Sequence, residues 1–141
     1  SLFSKKNGYI IDEADLIVRF NGGIYIENPE AQGKKTNILC HSNNKWSTGV
    51  KDKTIDLWYT HGWPERDTLK NLFGAKPSNG AMAIERIRTK YSKPIVRIFG
   101  FDWKKTDTFY IKNSTEWSQH DYGKEKEWCM NLIKQLNWEL Y

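Results

Sequence analysis

Histidine is scarce in this chain: His41, His61 and His120 are the only three. His120 stands at the head of Asp121-Tyr122-Gly123-Lys124-Glu125, where a polar stretch gives way to a helical pattern. An ordinary imidazole has a pKa of about 6.5 and accepts a hydroxyl proton near neutrality. A histidine on the exposed edge of a helix entrance is therefore a candidate general base. Glu125 falls just inside the helix, where it would bond the His120 backbone or stabilise the helix start. A lone histidine also serves purely structural ends, and His41 and His61 lack the spacing of a metal pair.

A second group is Pro77-Ser78-Asn79-Gly80. Glycine lets backbone approach a ligand, and amides at a helix start attract anions. Ser78 and Asn79 are equally good N-caps for the helix that follows. Lys76, two residues before Ser78, adds positive charge. Asn21, after the apolar run Leu16-Ile17-Val18-Arg19-Phe20, has an amide suited to a phosphate or ribose; it also suits a turn before Gly22-Gly23. Asp102, in Gly100-Phe101-Asp102-Trp103, would position a ribose or base, or cap a turn. No G-x-S-x-G, G-x-G-x-x-G, P-loop, C-x-x-C or H-E-x-x-H pattern occurs, which weighs against hydrolases, dehydrogenases, NTPases and zinc sites.

These residues need elements to hold them. Residues 16–20, 37–41 and 55–60 read as strands, the last by alternation. Residues 64–76 contain a short helix with Leu69, Leu72 and Phe73 on one face. Ala83, Ile84, Ile87 and Tyr91 recur at helical spacing over 81–91, and Pro94 ends that helix. Residues 94–100 read as a buried parallel strand ending in Gly100. The polar stretch 104–119 reads as loop. The last helix spans 124–136, with Trp128, Cys129, Leu132, Ile133 and Leu136 inward. Strand–helix–strand order with nearly continuous apolar strands predicts an α/β fold with a parallel sheet, as one domain over residues 1–141. Ligands in such sheets lie beyond the strand carboxyl ends, where Asn21, His41, Thr60 and Gly100 fall.

The 141 residues suffice for one domain with a core. Seven tryptophans, seven tyrosines and six phenylalanines fill that core or stack on sugars or bases. Lysine and arginine number 22 against 17 acidic residues, a net charge of +5. The excess suits an anionic nucleotide-sugar. Nucleic acid is a weaker fit, because no Lys/Arg run exceeds two residues and no RNA-binding aromatic motif is present. Two cysteines are too few for a disulfide scaffold. No apolar run approaches about 20 residues, so no transmembrane segment is expected. A cytoplasmic setting in a bacterium or viral host is the default expectation. Membrane or Golgi association would need an upstream segment.

Ile11-Asp12-Glu13-Ala14-Asp15-Leu16-Ile17-Val18-Arg19-Phe20-Asn21 resembles the core of the long sialylmotif of the sialyltransferase family. Pro77-Ser78-Asn79-Gly80, its helix, and residues 95–101 with their closing Gly100-Phe101 resemble the small sialylmotif. His120 and Glu125 match the very small motif, H-x4-E. Thr108-Phe109-Tyr110-Ile111 loosely resembles the aromatic third motif. The order and spacing of these segments, which span most of the chain, carry the resemblance. It implies a glycosyltransferase with a Rossmann-like, mostly parallel sheet flanked by helices, a GT-A-like variant. The activity implied is transfer of sialic acid, or a related keto-sugar acid, from a CMP-linked donor to a glycan acceptor hydroxyl. No metal or other cofactor is implied. By motif, Asn21 would contact the nucleotide. Ser78, Asn79 and Gly80 would hold the phosphate or the sugar carboxylate, with Lys76 assisting. Gly100, Phe101, Asp102 and Tyr110 would line the nucleotide pocket. His120 would be the general base of an inverting displacement, with Glu125 in support.

The departures are informative. The family's V-G-N-G segment would precede Ser1, so the first strand and one nucleotide-binding asparagine are expected to be missing. Ser78-Asn79-Gly80 replaces S-T-G or T-S-G. The helix after Gly80 lacks the cysteine of animal members, which suggests a bacterial or viral relative. Three other readings stand beside the first: a non-catalytic nucleotide- or glycan-binding relative, a CMP-Kdo-using transferase, and a basic nucleic-acid binder.

Overall fold

Ile38-Leu39-Cys40-His41 is buried along its whole length, as a strand paired on both sides and covered on both faces must be. The computed structural model describes residues 5–103 and 119–141. It is mixed α/β and divides into two compact units, Ser1–His61 and Gly62–Tyr141.

In the first unit, α1 (Gly8–Asp12) precedes β1 (Val18–Phe20); α2 (Pro29–Gln32) precedes β2 (Ile38–His41) and β3 (Asp56–Tyr59). The three strands form one parallel sheet in the order β1-β2-β3, with Val18 opposite Ile38 and Ile38 opposite Asp56. Parallel neighbours require long crossovers. The first crossover is tied down by polar groups of the segment before it. Buried Arg19 donates from Nη2 to the carbonyls of Gln32 and Lys35, both at 2.8 Å, and from Nε to Thr36 Oγ1 at 2.9 Å. Asp12 accepts from the amides of Lys34 and Lys35, each at 2.9 Å. Asn37 Oδ1 accepts from Ile17 N at 2.8 Å. The Asp12…Arg19 pattern is thus a clasp on residues 32–36.

In the second unit, α3 (Pro64–Phe73) and α4 (Asn79–Lys90) precede β4 (Arg97–Ile98); α5 (Tyr122–Leu136) precedes β5 (Glu139–Leu140). Proline at the first helical position starts α3, and Gly74, in the left-handed region at φ 68°, ends it. Asn137, also left-handed, ends α5. Leu69, Phe73, Ala81 and Met82 form one apolar cluster; Ile84, Ile98, Cys129 and Trp138 form another. Trp128 packs on both clusters and meets Phe73 edge-on at 5.7 Å. Arg86 lies over the Trp63 ring at 4.2 Å.

The strands at 37–41 and 55–60 and the helices at 64–76, 81–91 and 124–136 stand where the sequence places them, within a few residues. Four details differ. Leu72 and Leu136 are 58% and 42% exposed rather than inward, because α3 and α5 bury a narrower stripe than their apolar residues would cover. The strand at 94–100 contracts to two residues, with Ile95 88% exposed. It pairs in parallel with β5, so it forms a separate two-stranded sheet; Gly100 does not share the sheet that ends at Asn21, His41 and Thr60. The run at 16–20 is strand only from Val18, since Ile17 N bonds the Asn37 side chain. Among the described residues no helix is long and apolar enough to cross a membrane. Cys40 and Cys129 are free thiols, both buried.

Candidate active site

The connection between α3 and α4 is Gly74-Ala75-Lys76-Pro77-Ser78, with Pro77 buried. The segment from His120 into α5 docks on it and on the end of α3 at three points. Glu125 receives two donors from Ser78, the amide to Oε1 and the hydroxyl to Oε2, both at 2.7 Å and across 47 residues of sequence. His120 Nδ1 lies 2.7 Å from the Lys76 carbonyl. Lys124 Nζ donates to the Phe73 carbonyl at 2.8 Å, where a cation complements the end of α3.

Each partner is placed by its own helix. Ser78 is the N-cap of α4, with its hydroxyl accepting from Ala81 N at 3.2 Å. Asp121 caps α5, accepting from Lys124 N at 3.0 Å. Glu125, one turn in, points across to α4. Its hydrogen bonds go to the start of α4 and not to the His120 backbone, while within its own helix it is the acidic residue of the first turn. An N-terminal helix turn favours a carboxylate.

The His120 contact fixes a tautomer. A carbonyl oxygen only accepts, so Nδ1 carries the hydrogen and the lone pair of the neutral ring is on Nε2. Its neighbour Tyr122 packs edge-on at 5.4 Å. Burial pushes the Glu125 carboxyl above its ordinary range, against the Ser78 hydrogen bonds and the nearby His120. The Cys129 thiol is pushed up to about 11 by burial and by Glu125, so it is inert as a nucleophile.

Other residues of the small-motif region lie close by in the chain. Asn79 and Gly80 open α4 and are partly buried. A Cβ on Gly80 would meet the Phe101 ring at 2.7 Å; the close approach that glycine permits is used by Phe101. Gly100 is left-handed at φ 71°, and Asp102 is partly buried between Phe101 and Trp103. Tyr110, with the segment 104–118, lies outside the described residues. Two amides expected to face a phosphate are bonded internally, Ser78 N to Glu125 and Ala81 N to Ser78 Oγ. The α4 start already holds a carboxylate.

Asn21 belongs to the first unit. It follows β1 at φ 47°, a conformation asparagine tolerates, and its Oδ1 accepts from Ser42 N at 3.2 Å. The same carboxyl edge carries a ladder of rings. His41, buried, lies 5.3 Å from Tyr59, and Tyr59 stacks on His61 at 5.8 Å with planes 13° apart. Nearby in sequence, Lys45 lies 4.4 Å over the Trp46 ring. The parallel register sets His41 opposite Tyr59, a pairing that no spacing within either strand encodes. Among the described residues, no group of three or more His, Cys, Asp or Glu could hold a metal ion.

Comparison of the chain with protein-family models, with curated proteins and with solved structures finds no match.

Proposed function

We propose that the chain is a sialyltransferase-like glycosyltransferase, with His120 as general base in transfer from a CMP-linked keto-sugar acid to a glycan hydroxyl. One observation carries this reading: His120 and Glu125 bond to Lys76 and Ser78, across 44 and 47 residues of sequence. The two segments that resemble the small and very small sialylmotifs therefore meet in one place. Such convergence is what a shared site requires.

In this reading the acceptor hydroxyl is deprotonated at His120 Nε2 as its oxygen attacks the anomeric carbon. The bond to the CMP phosphate breaks as the new one forms, and configuration inverts. CMP is a good leaving group, so a strong general acid is unnecessary. Because the Ser78 and Ala81 amides are committed, contacts to the leaving phosphate fall to Lys76, Asn79 and Gly80, with Gly100, Phe101 and Asp102 toward the nucleotide. A Rossmann-like, GT-A-type relationship is the fold counterpart of this proposal; parallel strands support it.

A positioned base contributes about 10²–10⁴-fold. His120→Ala is expected to lower kcat for transfer by that factor while CMP affinity, read by calorimetry against UMP, GMP and AMP, stays within a few-fold. Unchanged turnover would remove His120 from the role. Equal affinity for all four nucleotides would remove the CMP donor.

A specific observation favours a second reading, a non-catalytic nucleotide- or glycan-binding relative. The Glu125 carboxylate occupies the anion-favouring start of α4, which weakens that helix end as a phosphate site. Selective CMP binding without CMP release from a CMP-sugar in the presence of acceptors would identify this case.

A further inference from the structure

We propose that the first unit binds a sugar ring at the carboxyl edge of its sheet, with His41 accepting a hydrogen bond from a ring hydroxyl. The site is built from residues of that unit alone, and the inference does not rest on the transferase reading. His41 is the last residue of the central strand β2 and is only 3% exposed. Ligands of parallel sheets lie beyond the strand carboxyl ends. A polar side chain buried there is expected to have its hydrogen bonds met, because an unmet one is costly.

One nitrogen of His41 is met. Nδ1 lies 3.2 Å from the Asn43 carbonyl. The turn that carries this oxygen is tied down: the same carbonyl accepts from Trp46 N at 3.1 Å, Asn43 Oδ1 accepts from Lys45 N at 2.9 Å, and Asn21 Oδ1 accepts from Ser42 N at 3.2 Å. A carbonyl only accepts, so Nδ1 carries the hydrogen and Nε2 of the neutral ring presents a lone pair. Among the described residues nothing hydrogen-bonds Nε2. Nor is this atom sealed from solvent, so the little of His41 that is accessible includes it.

A lone pair asks for a donor, and the neighbouring residues choose which. Asn21, residues 41–48, Tyr59, Thr60 and His61 include no carboxylate, and the one charge among residues 41–48 is Lys45. An ammonium or guanidinium donor would find no counter-charge among them. A hydroxyl is a neutral donor and suits this edge. The rings add a second requirement. From His41 the ladder runs through Tyr59 to His61, which is exposed and stacks on Tyr59 at 5.8 Å with planes 13° apart. A sugar supplies both parts, hydroxyls for Nε2 and an apolar C–H face for the ring at the end of the ladder. The ribose of a nucleotide and a pyranose of a glycan carry the same chemistry.

The test is a two-bond proton–nitrogen NMR correlation of the histidine rings in the full chain, at a pH where the imidazoles are neutral, with the rings assigned through His61→Gln and His120→Ala. The probes are CMP, its 2′,3′-dideoxy counterpart and lactose. The free chain is expected to show His41 in the Nδ1–H form. Saturation with CMP or with lactose is expected to shift the His41 Nε2 resonance, and whichever does so names the source of the hydroxyl. If CMP is the one, the dideoxy nucleotide should leave Nε2 in place. A His41 found in the Nε2–H form overturns the inference, as does an Nε2 unmoved by both probes or moved equally by the dideoxy nucleotide. His41→Phe, which keeps a ring against Tyr59, should weaken the effective probe about tenfold, the worth of one hydrogen bond; unchanged affinity in the folded variant overturns it too. Should His41→Phe not fold, the probe series on the wild-type chain decides alone. CMP binding with His41 unmoved, and no response to lactose, removes this site and leaves the CMP donor standing. A response to lactose without CMP binding sustains the site and removes the CMP donor instead.

Discussion

Asp12 in the first unit and Glu125 in the second each tie the end of one helix to a distant segment. Asp12, the last residue of α1, accepts from the amides of Lys34 and Lys35. Glu125, in the first turn of α5, accepts from the amide and hydroxyl of Ser78. Yet their proton affinities move in opposite directions. For Asp12, burial raises the pKa but is outweighed by the Lys35 and Lys34 amides and by the positive charges of Lys35 and Arg19, so the carboxyl lies below its ordinary value. For Glu125, burial dominates; the Ser78 bonds and His120 pull against it without winning, so the carboxyl lies above. Two similar hydrogen-bond sets therefore do not make two similar acids. Desolvation and neighbouring charge decide.

The steepest way to break this comparison is at the glycines near the two clasps. A Cβ on Gly8 of α1 would meet the Pro29 carbonyl oxygen at 2.1 Å and that of Glu30 at 2.7 Å. Backbone cannot step aside, so Gly8→Ala is expected to cost about 3 kcal/mol, at the upper end of overpacking penalties, read as a lowered urea midpoint. Next comes Glu125→Ala, which strands the part-buried Ser78 amide. It should cost about 2 kcal/mol, and more than Asp12→Ala, because water can replace a partly exposed carboxylate at Lys34 and Lys35. An equal loss from the two would mean that burial does not separate them. Gly80→Ala is smaller, about 1 kcal/mol, because the obstacle is the far edge of the Phe101 ring, which can turn. A cost matching that of Gly8→Ala would show the Phe101 side to be as rigid as the α1–α2 contact.

Acid titration gives the finest distinction. Asp12, with its folded pKa depressed, contributes stability that is present above the ordinary carboxyl pKa and lost as pH falls through the folded value. Glu125, with its folded pKa raised, contributes stability that is complete below the ordinary value and lost as pH rises through the folded one. Asp12→Asn should therefore flatten the acid limb of the stability profile. Glu125→Gln should remove a decline just above the ordinary carboxyl range. Slopes of the same sign in both variants would contradict the opposed shifts.

Much of the local structure was legible in the residues. Ile38-Leu39-Cys40 is apolar enough to be a central strand, Ser78 caps α4, Pro64 opens α3 and Gly74 closes it; each depends on neighbours within a few positions. The apolar stripe was less secure. Leu72 and Leu136 have the right spacing but face water, because spacing defines a face and only packing decides how wide a buried face is. The two-residue β4 and its partner β5 were not legible, since a strand this short is made by its partner, and Trp138, bonded to the Pro94 carbonyl at 3.0 Å, anchors that pairing from outside the apolar run.

The candidate site divides in the same way. The sequence by itself determined the chemical groups: an imidazole at a helix start, a carboxyl one turn later, a serine cap with a lysine beside it. It also determined the order Asp12…Arg19, Ser78, His120, in which the resemblance resides. Only the tertiary structure decided their roles. Asp12 and Arg19 hold a crossover, and Glu125 bonds the start of α4. His120 Nδ1 lies against the Lys76 carbonyl. The physical reason is range. Caps and turns are settled by dihedral preferences and hydrogen bonds over a few residues. The hydrogen-bond partners of a carboxylate and of an imidazole come from segments 47 and 44 residues away, which only the packed chain brings within reach.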